Sequence, residues 1–151
     1  MIDTVAKKVV LILGRFTDTR KPVLIAIKDK LRDLDYLPVL FDFKLPAERN
    51  TVETITLLAS LSRFIIADIT DPLSVPQELG SILSGCSSVP VKPILQEGYE
   101  PWGMYDAIKC RPSVLELYYY PDVNELLASL KERIIVPAEE KVREMNLGKI
   151  T

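Results

Sequence analysis

Val9-Val10-Leu11-Ile12-Leu13 and Phe64-Ile65-Ile66-Ala67 are apolar at every position, with no polar residue at either alternation. A strand with one wet face alternates apolar and polar residues. A run without alternation needs cover on both faces, as strands in parallel sheets have. This feature restricts the chain to architectures in which helices lie on both sides of a sheet.

The rest of the chain supplies those helices in the right places. Lys7–Leu13, closed by Gly14, reads as the first strand. Leu24, Ile27, Leu31 and Leu34 then fall at spacings of three, four and three, one stripe of a helix with Pro22 in its first turn. Pro38–Phe43 is a second strand. Asn50 and Glu53 open a second helix with Ile55, Leu58 and Leu61 facing inward. Arg63–Ile69 is a third and central strand. Ser74 with Gln77 three residues on is a capping box, and Pro76 supports a helix start there. Val89–Leu95 is a fourth strand, followed by a Gly, Pro and aromatic loop at Gly98–Gly103 and a short helix near Met104–Cys110. Ser113–Tyr119 is the fifth strand. Asp122 and Glu125 cap a last helix with the stripe Leu126, Leu130, Ile134, which Pro137 should break or kink and Gly148 should end. Five strands alternating with helices predict an α/β, doubly wound, five-stranded parallel sheet in the flavodoxin-like order 2-1-3-4-5, flanked by helices, in a single domain over residues 1–151.

A hydrophobic fraction of 48% suits a sheet covered on both faces. Nineteen basic residues against twenty-one acidic ones give a net charge of -2, and no basic stretch is dense enough to form a nucleic-acid groove. Met1–Lys8 lacks the apolar run of a signal peptide, and no apolar segment reaches the ~18 residues that span a bilayer. Cys86 and Cys110 have no CxxC spacing. The expectation is a cytoplasmic protein with neither nucleic acid nor membrane as partner. With no histidine in the chain, imidazole-based acid/base schemes are excluded, and no metal site is expected.

In sheets of this order, ligands bind beyond the strand C-terminal ends, at the switch point between the first and third strands. The first strand delivers Gly14, Arg15, Phe16 and Thr17 there. The third delivers Asp68 and Thr70, then the helix capped by Ser74 and carrying Glu78. The fourth-strand loop brings Tyr99, Trp102 and Tyr105. Glu78 falls in a first helical turn, where the macrodipole keeps a carboxylate ionised. Such a glutamate either serves the helix or stabilises the oxocarbenium centre formed when an N-glycosidic bond breaks. Phe16 and Trp102 either stack on a base or pack. Arg15 either meets a phosphate or is solvated, and Asp68 either binds ligand or ties down loop N–H groups. Tyr118–Tyr120 reads most simply as strand filling. The GxGxxG and P-loop patterns are absent, and a flavodoxin phosphate loop, rich in Ser, Thr and Gly, is only partly matched by Gly14–Thr19.

The run Phe64-Ile65-Ile66-Ala67-Asp68-Ile69-Thr70, followed by Gln77-Glu78-Leu79-Gly80, resembles the core of the TIR-like and nucleoside 2-deoxyribosyltransferase-like group, including TIR-like modules of bacterial defence proteins. The chain departs from that pattern at Leu73-Ser74-Val75 and at Pro76-Gln77. The resemblance implies cleavage of the N-glycosidic bond of a nucleotide: hydrolysis of NAD with release of nicotinamide, or transfer of a deoxyribosyl group. Glu78 would be catalytic, and Gly14, Arg15, Phe16, Thr17, Asp68, Thr70, Ser74 and Trp102 would bind substrate. NAD would then be a substrate and no cofactor would be needed. The resemblance also implies self-assembly into a homo-oligomer. The alternative within the same group is a non-catalytic module that senses a nucleotide or mediates oligomerisation.

Overall fold

The first apolar run forms β1 (Val9–Gly14) and the Leu24 stripe forms α1 (Lys21–Asp33) in the computed structural model, which describes residues 8–14, 17–42, 49–70, 89–99 and 112–150. There follow β2 (Leu37–Asp42), α2 (Arg49–Ser60), β3 (Phe64–Asp68), β4 (Val91–Gln96) and β5 (Tyr118–Tyr120). Next come α3 (Val123–Leu130), a π-helical turn (Lys131–Ile135) and α4 (Val136–Ile150). All strand pairs are parallel, in the order β2-β1-β3-β4-β5. This is the doubly wound sheet expected from the sequence, with β3 at its centre. The helix expected after Ser74 and the one near Met104–Cys110 lie outside the described residues.

Each face of the sheet carries its own core. Leu11, Leu13, Ile65, Ala67, Ile69, Val91 and Leu95 face Ala59 of α2. Val10, Ile12, Phe64, Ile66, Ile94 and Tyr120 face Leu24, Ile27 and Leu31 of α1 and Leu126, Leu130 and Ile134 of the last helix. The strictly apolar runs are thus explained: both alternations are buried. Leu61 departs from expectation, being 51% exposed. Helix α2 ends at Ser60, and Leu58 and Ala59 rather than Leu61 turn inward.

Helix α1 closes on a left-handed residue. Asp35 has φ 70°, Asp35 N–H donates to Arg32 O at 3.1 Å, and Tyr36 N–H reaches Leu31 O at 3.0 Å. This closure is usually given to glycine. Here the aspartate also meets Lys8 at 3.1 Å, an exposed pair of small energetic weight. At the other end of the chain Asp122 caps α3, accepting from Glu125 N–H at 2.8 Å as expected. Pro137 neither breaks nor ends the helix. It has no N–H for the carbonyl of Arg133, four residues back, and the backbone widens instead, with Val136 N–H bonded to Lys131 O five residues back. Gly148 likewise lies inside α4, which runs to Ile150.

Two prolines lie in strands, each where a missing donor is tolerated. Leu37 N–H donates to Lys8 O beside β1, so Pro38, the next residue on the edge strand β2, has its nitrogen on the free side. Pro93 is in β4, between two neighbours. From Val91 to Ile94 the strand advances three residues, while its partner advances four, from Val114 to Tyr118. The expected fifth strand, Ser113–Tyr119, is therefore reduced to one bridge at Val114 and the ladder Tyr118–Tyr120, with an irregular stretch between them. Glu97 N–H donates to Tyr120 O at 2.8 Å. Stepping back along that ladder, the N–H of residue 93 would meet the carbonyl of Glu116. Pro93 has none, and Lys92 Nζ donates to that oxygen instead, at 2.6 Å. Burial lowers the pKa of this lysine, against the charge of Glu116.

Lys92 therefore stands in for a backbone donor. In the native background K92M should cost about 1 kcal/mol by stranding the Glu116 carbonyl. In P93A, which restores an N–H, the same substitution should cost less, giving a coupling of roughly 0.5–1 kcal/mol in a urea double-mutant cycle. Equal costs in the two backgrounds would reject the substitution of one donor by the other.

Candidate functional site

The period-two alternation that builds the α1-facing core continues to the C-terminal ends of the strands. After Ile12, Ile66 and Ile94 on that face come Gly14 on β1, Asp68 on β3 and Gln96 on β4, with Tyr120 beside Gln96 on β5. A glycine and three polar groups thus form one row above the core, on the side where α1 begins.

At Gly14 α1 packs tightly on the sheet. A Cβ there would lie 2.8 and 2.9 Å from the two methyl carbons of Leu24, itself fully buried. The glycine therefore permits close helix–strand packing.

Arg20, immediately before α1, spans the remainder of the row. Its Nε donates to Asp68 Oδ2 at 2.9 Å, its Nη1 to Gln96 Oε1 at 2.7 Å and its Nη2 to the Tyr120 hydroxyl, with Nη2 also 2.9 Å from Asp68 Oδ2. Both charged side chains are almost fully buried, at 4% and 2% exposure. The other oxygen of Asp68 accepts from the Thr70 N–H at 3.2 Å and from the Thr70 hydroxyl, and Thr70 Oγ1 accepts from Gln96 N–H at 3.2 Å. Burial pulls the Arg20 guanidinium down, but the charge of Asp68 and the Tyr120 hydroxyl outweigh it and hold its pKa above the ordinary arginine value. Burial, then the nearby charge of Asp68, raises the Tyr120 phenol against the opposing pull of Arg20.

Above this buried layer the turn into α1 is open to solvent. Thr17 Oγ1 lies 3.4 Å from Thr19 Oγ1 and accepts from Arg20 N–H at 3.1 Å, while Thr17 O accepts from Lys21 N–H at 2.8 Å. Among the described residues no side chain caps α1, and its first turn carries no acidic residue. Tyr99, 46% exposed, follows β4 at the same edge, beyond Gly98 with its left-handed φ of 95°.

Of the sequence-expected site residues, Gly14, Thr17, Asp68 and Thr70 come together at this edge. Arg15, Phe16, Ser74, Glu78 and Trp102 lie outside the described residues. Arg20, Gln96 and Tyr120 are not among the residues expected from the sequence, where Tyr120 reads as strand filling. The signal that could have found them is parity, since residues 68, 96 and 120 all continue the α1-facing alternation of their strands. The carboxylate of Asp68 accepts from four protein donor atoms, so a ligand would have to displace one to reach it. Among the described residues no helix is long and apolar enough to cross a membrane.

No family model and no curated protein matches the chain. Among solved structures, the crystal structure of diflavin flavoprotein A3 from Nostoc sp. is similar over 93% of this chain and 96% of that one, with a TM-score of 0.63 and 11% identity. These findings correct the expectations that came from the TIR-like and deoxyribosyltransferase-like resemblance. The structural neighbour is a flavoprotein, and no family model supports the resemblance. N-glycosidic cleavage of NAD, the deoxyribosyl-transfer and TIR-like sensing alternatives, and a site with NAD as substrate and no cofactor are withdrawn with it. The physical reason lies in the matching residues. Phe64–Thr70 is an apolar central strand ending in polar groups that tie the sheet edge together, a pattern set by the fold.

Two variants test the buried layer. D68N keeps the shape but leaves Arg20 without its counter-charge, and should destabilise the chain by about 3–5 kcal/mol in urea unfolding. Y120F should change the alkaline limb. With its folded pKa raised, Tyr120 leaves stability unaffected below the unfolded value of about 10. Above it the unfolded chain ionises first, so stability falls by up to about 1.4 kcal/mol per pH unit until the folded pKa is passed. Burial raises Tyr36 in the same direction, so Y120F should lessen the alkaline slope without abolishing it. An unchanged slope above about pH 10 would contradict the assignment.

Proposed function

We propose that this chain is a flavodoxin-like module that binds a phosphorylated flavin, of the flavin mononucleotide class, at the C-terminal edge between β1 and β3. The observation that carries the proposal is the solvent-facing turn into α1 at the switch point of the sheet. There the Thr17 and Thr19 hydroxyls lie 3.4 Å apart, beside a helix start with no side-chain cap and no acidic residue in its first turn. The Thr17 and Thr19 hydroxyls are suitable donors for a phosphate; Lys21 N–H is bonded to Thr17 O and Pro22 has no N–H, so the start of α1 contributes chiefly the positive end of its dipole. The flavoprotein neighbour supports the choice of ligand class.

The residues present fit the phosphate end of such a ligand. The Thr17 and Thr19 hydroxyls would hold the phosphate, with the α1 dipole favouring its charge, and Tyr99 would stack against the flavin ring. Gly14 and Asp68 act below the ligand, the first by admitting α1 to the sheet and the second by holding Arg20. When bound, the flavin would supply electron-transfer chemistry. The chain's own residues bind it, orient it and close the sheet beneath it.

The test is titration of the apoprotein with flavin mononucleotide, followed by flavin fluorescence and the visible spectrum, with riboflavin in parallel. Saturable 1:1 binding is expected. Riboflavin, lacking the phosphate, should bind at least about tenfold more weakly, and T17V/T19V should cost flavin mononucleotide a similar factor, since a hydrogen bond to a charged group contributes about 1.5–3 kcal/mol. The absence of any saturable change in either spectrum would end the proposal.

A further inference from the structure

We infer that Arg20 is the positioning residue of this ligand site: its buried side chain holds the Thr17–Arg20 turn in its anion-receiving shape without touching the ligand. The inference rests on the phosphate reading proposed above.

Among the described residues, the turn is closed by short-range hydrogen bonds from backbone N–H groups. Asp18 and Thr19 are exposed, and the hydrogen bonds that close the turn, Arg20 N–H to Thr17 Oγ1 and Lys21 N–H to Thr17 O, are local. Its anchor is the residue at its end. From a backbone position just before α1, the Arg20 side chain leaves the surface and is bonded to the C-terminal residues of three successive strands, Asp68, Gln96 and Tyr120. One rigid planar group therefore fixes the turn to β3, β4 and β5 together. Lysine could neutralise Asp68 but cannot span the three partners with one point charge.

A guanidinium so engaged has most of its donors and its charge committed inside the protein. Nε, Nη1 and Nη2 all have protein partners, and Asp68 neutralises the charge. Arg20 accordingly acts on affinity through shape: a turn already ordered costs less to order on binding. Its contribution should differ from that of a phosphate-binding arginine, which would add a salt-dependent attraction.

The experiment uses R20K and Y120F in the full chain, with L31A as a control that weakens the fully buried far end of α1. Amide hydrogen exchange is measured on the ligand-free proteins, and affinity by titration with flavin mononucleotide at two salt concentrations. In R20K the amides of Thr19, Lys21 and Val23 should exchange at least about tenfold faster relative to β1 and β3, with a smaller effect in Y120F. Affinity for flavin mononucleotide should fall by about tenfold in R20K with the same salt dependence as the native chain, whereas L31A should lose stability but keep its affinity. If R20K does not fold, the exchange and affinity of Y120F decide the question. Native exchange rates at the turn in the folded variants, or an affinity loss in L31A matching its stability loss, would overturn the positioning role. A native chain that binds no flavin mononucleotide sinks the flavin reading by itself, before any variant is compared.

Discussion

A guanidinium and a carboxylate taken out of water at the end of a sheet must find nearly all their hydrogen bonds inside the protein. Coulomb attraction alone does not repay their lost hydration. The Arg20–Asp68 pair meets that demand by recruiting Gln96 from β4 and Tyr120 from β5, and the demand fixes much else. Gln96 must end β4 on the α1 side, Tyr120 must end β5 on the same side, and Thr70 must turn back onto Asp68. Gly14 lets the Leu24 side chain of α1 sit directly against β1, since a Cβ there would force Leu24 to shift. A buried pair is poor evidence of net stability. Its effect here is specificity of arrangement, because few registers of five strands bring these groups to one point.

The same accounting of donors explains where the ladder is imperfect. Pro38 faces outward on an edge strand, where its missing N–H is harmless and discourages edge pairing. Pro93 stands between two strands, and the sheet answers with an extra residue opposite it and a lysine side chain donating where the backbone cannot. Pro137 removes another donor, and the last helix widens by one residue per turn across that point. Each proline was visible in the sequence as a constraint. The solution each required was not, because it depends on partners far along the chain.

The architecture was legible because its signal is one-dimensional. Strand runs such as Val9–Leu13 must be covered on both faces, and helix stripes such as Leu24, Ile27, Leu31 lie within single elements. The switch point then follows from topology, which is why Gly14, Thr17, Asp68 and Thr70 were expected at the edge where they occur. The network was less legible. Arg20 lies 48 residues from Asp68 and 100 from Tyr120, and nothing local marks an arginine before a helix as one that turns inward. Only the continued alternation of each strand carries that information, and it becomes readable once register is known.

The misleading part of the sequence was its most distinctive segment. The resemblance joined Phe64–Thr70 to Gln77–Gly80; the second segment lies outside the described residues, and each residue of the first is accounted for by the sheet. Phe64 and Ile66 fill one core, Ile65, Ala67 and Ile69 the other, Asp68 receives Arg20, and Thr70 closes on Asp68. A segment explained by packing and internal hydrogen bonds, as Phe64–Thr70 is, carries no information about chemistry, because any function on this fold could keep it. Residues that discriminate between functions are those the fold leaves under-used. Thr17 and Thr19 fit that description among the described residues: polar, at the switch point, and outside the side-chain network of Arg20, Asp68, Gln96 and Tyr120, with Thr19 exposed and the Thr17 hydroxyl hydrogen still free to be given to a ligand. A functional reading of this chain therefore has to start from the surface of that turn, and the buried layer beneath it matters to function through the shape it gives that surface.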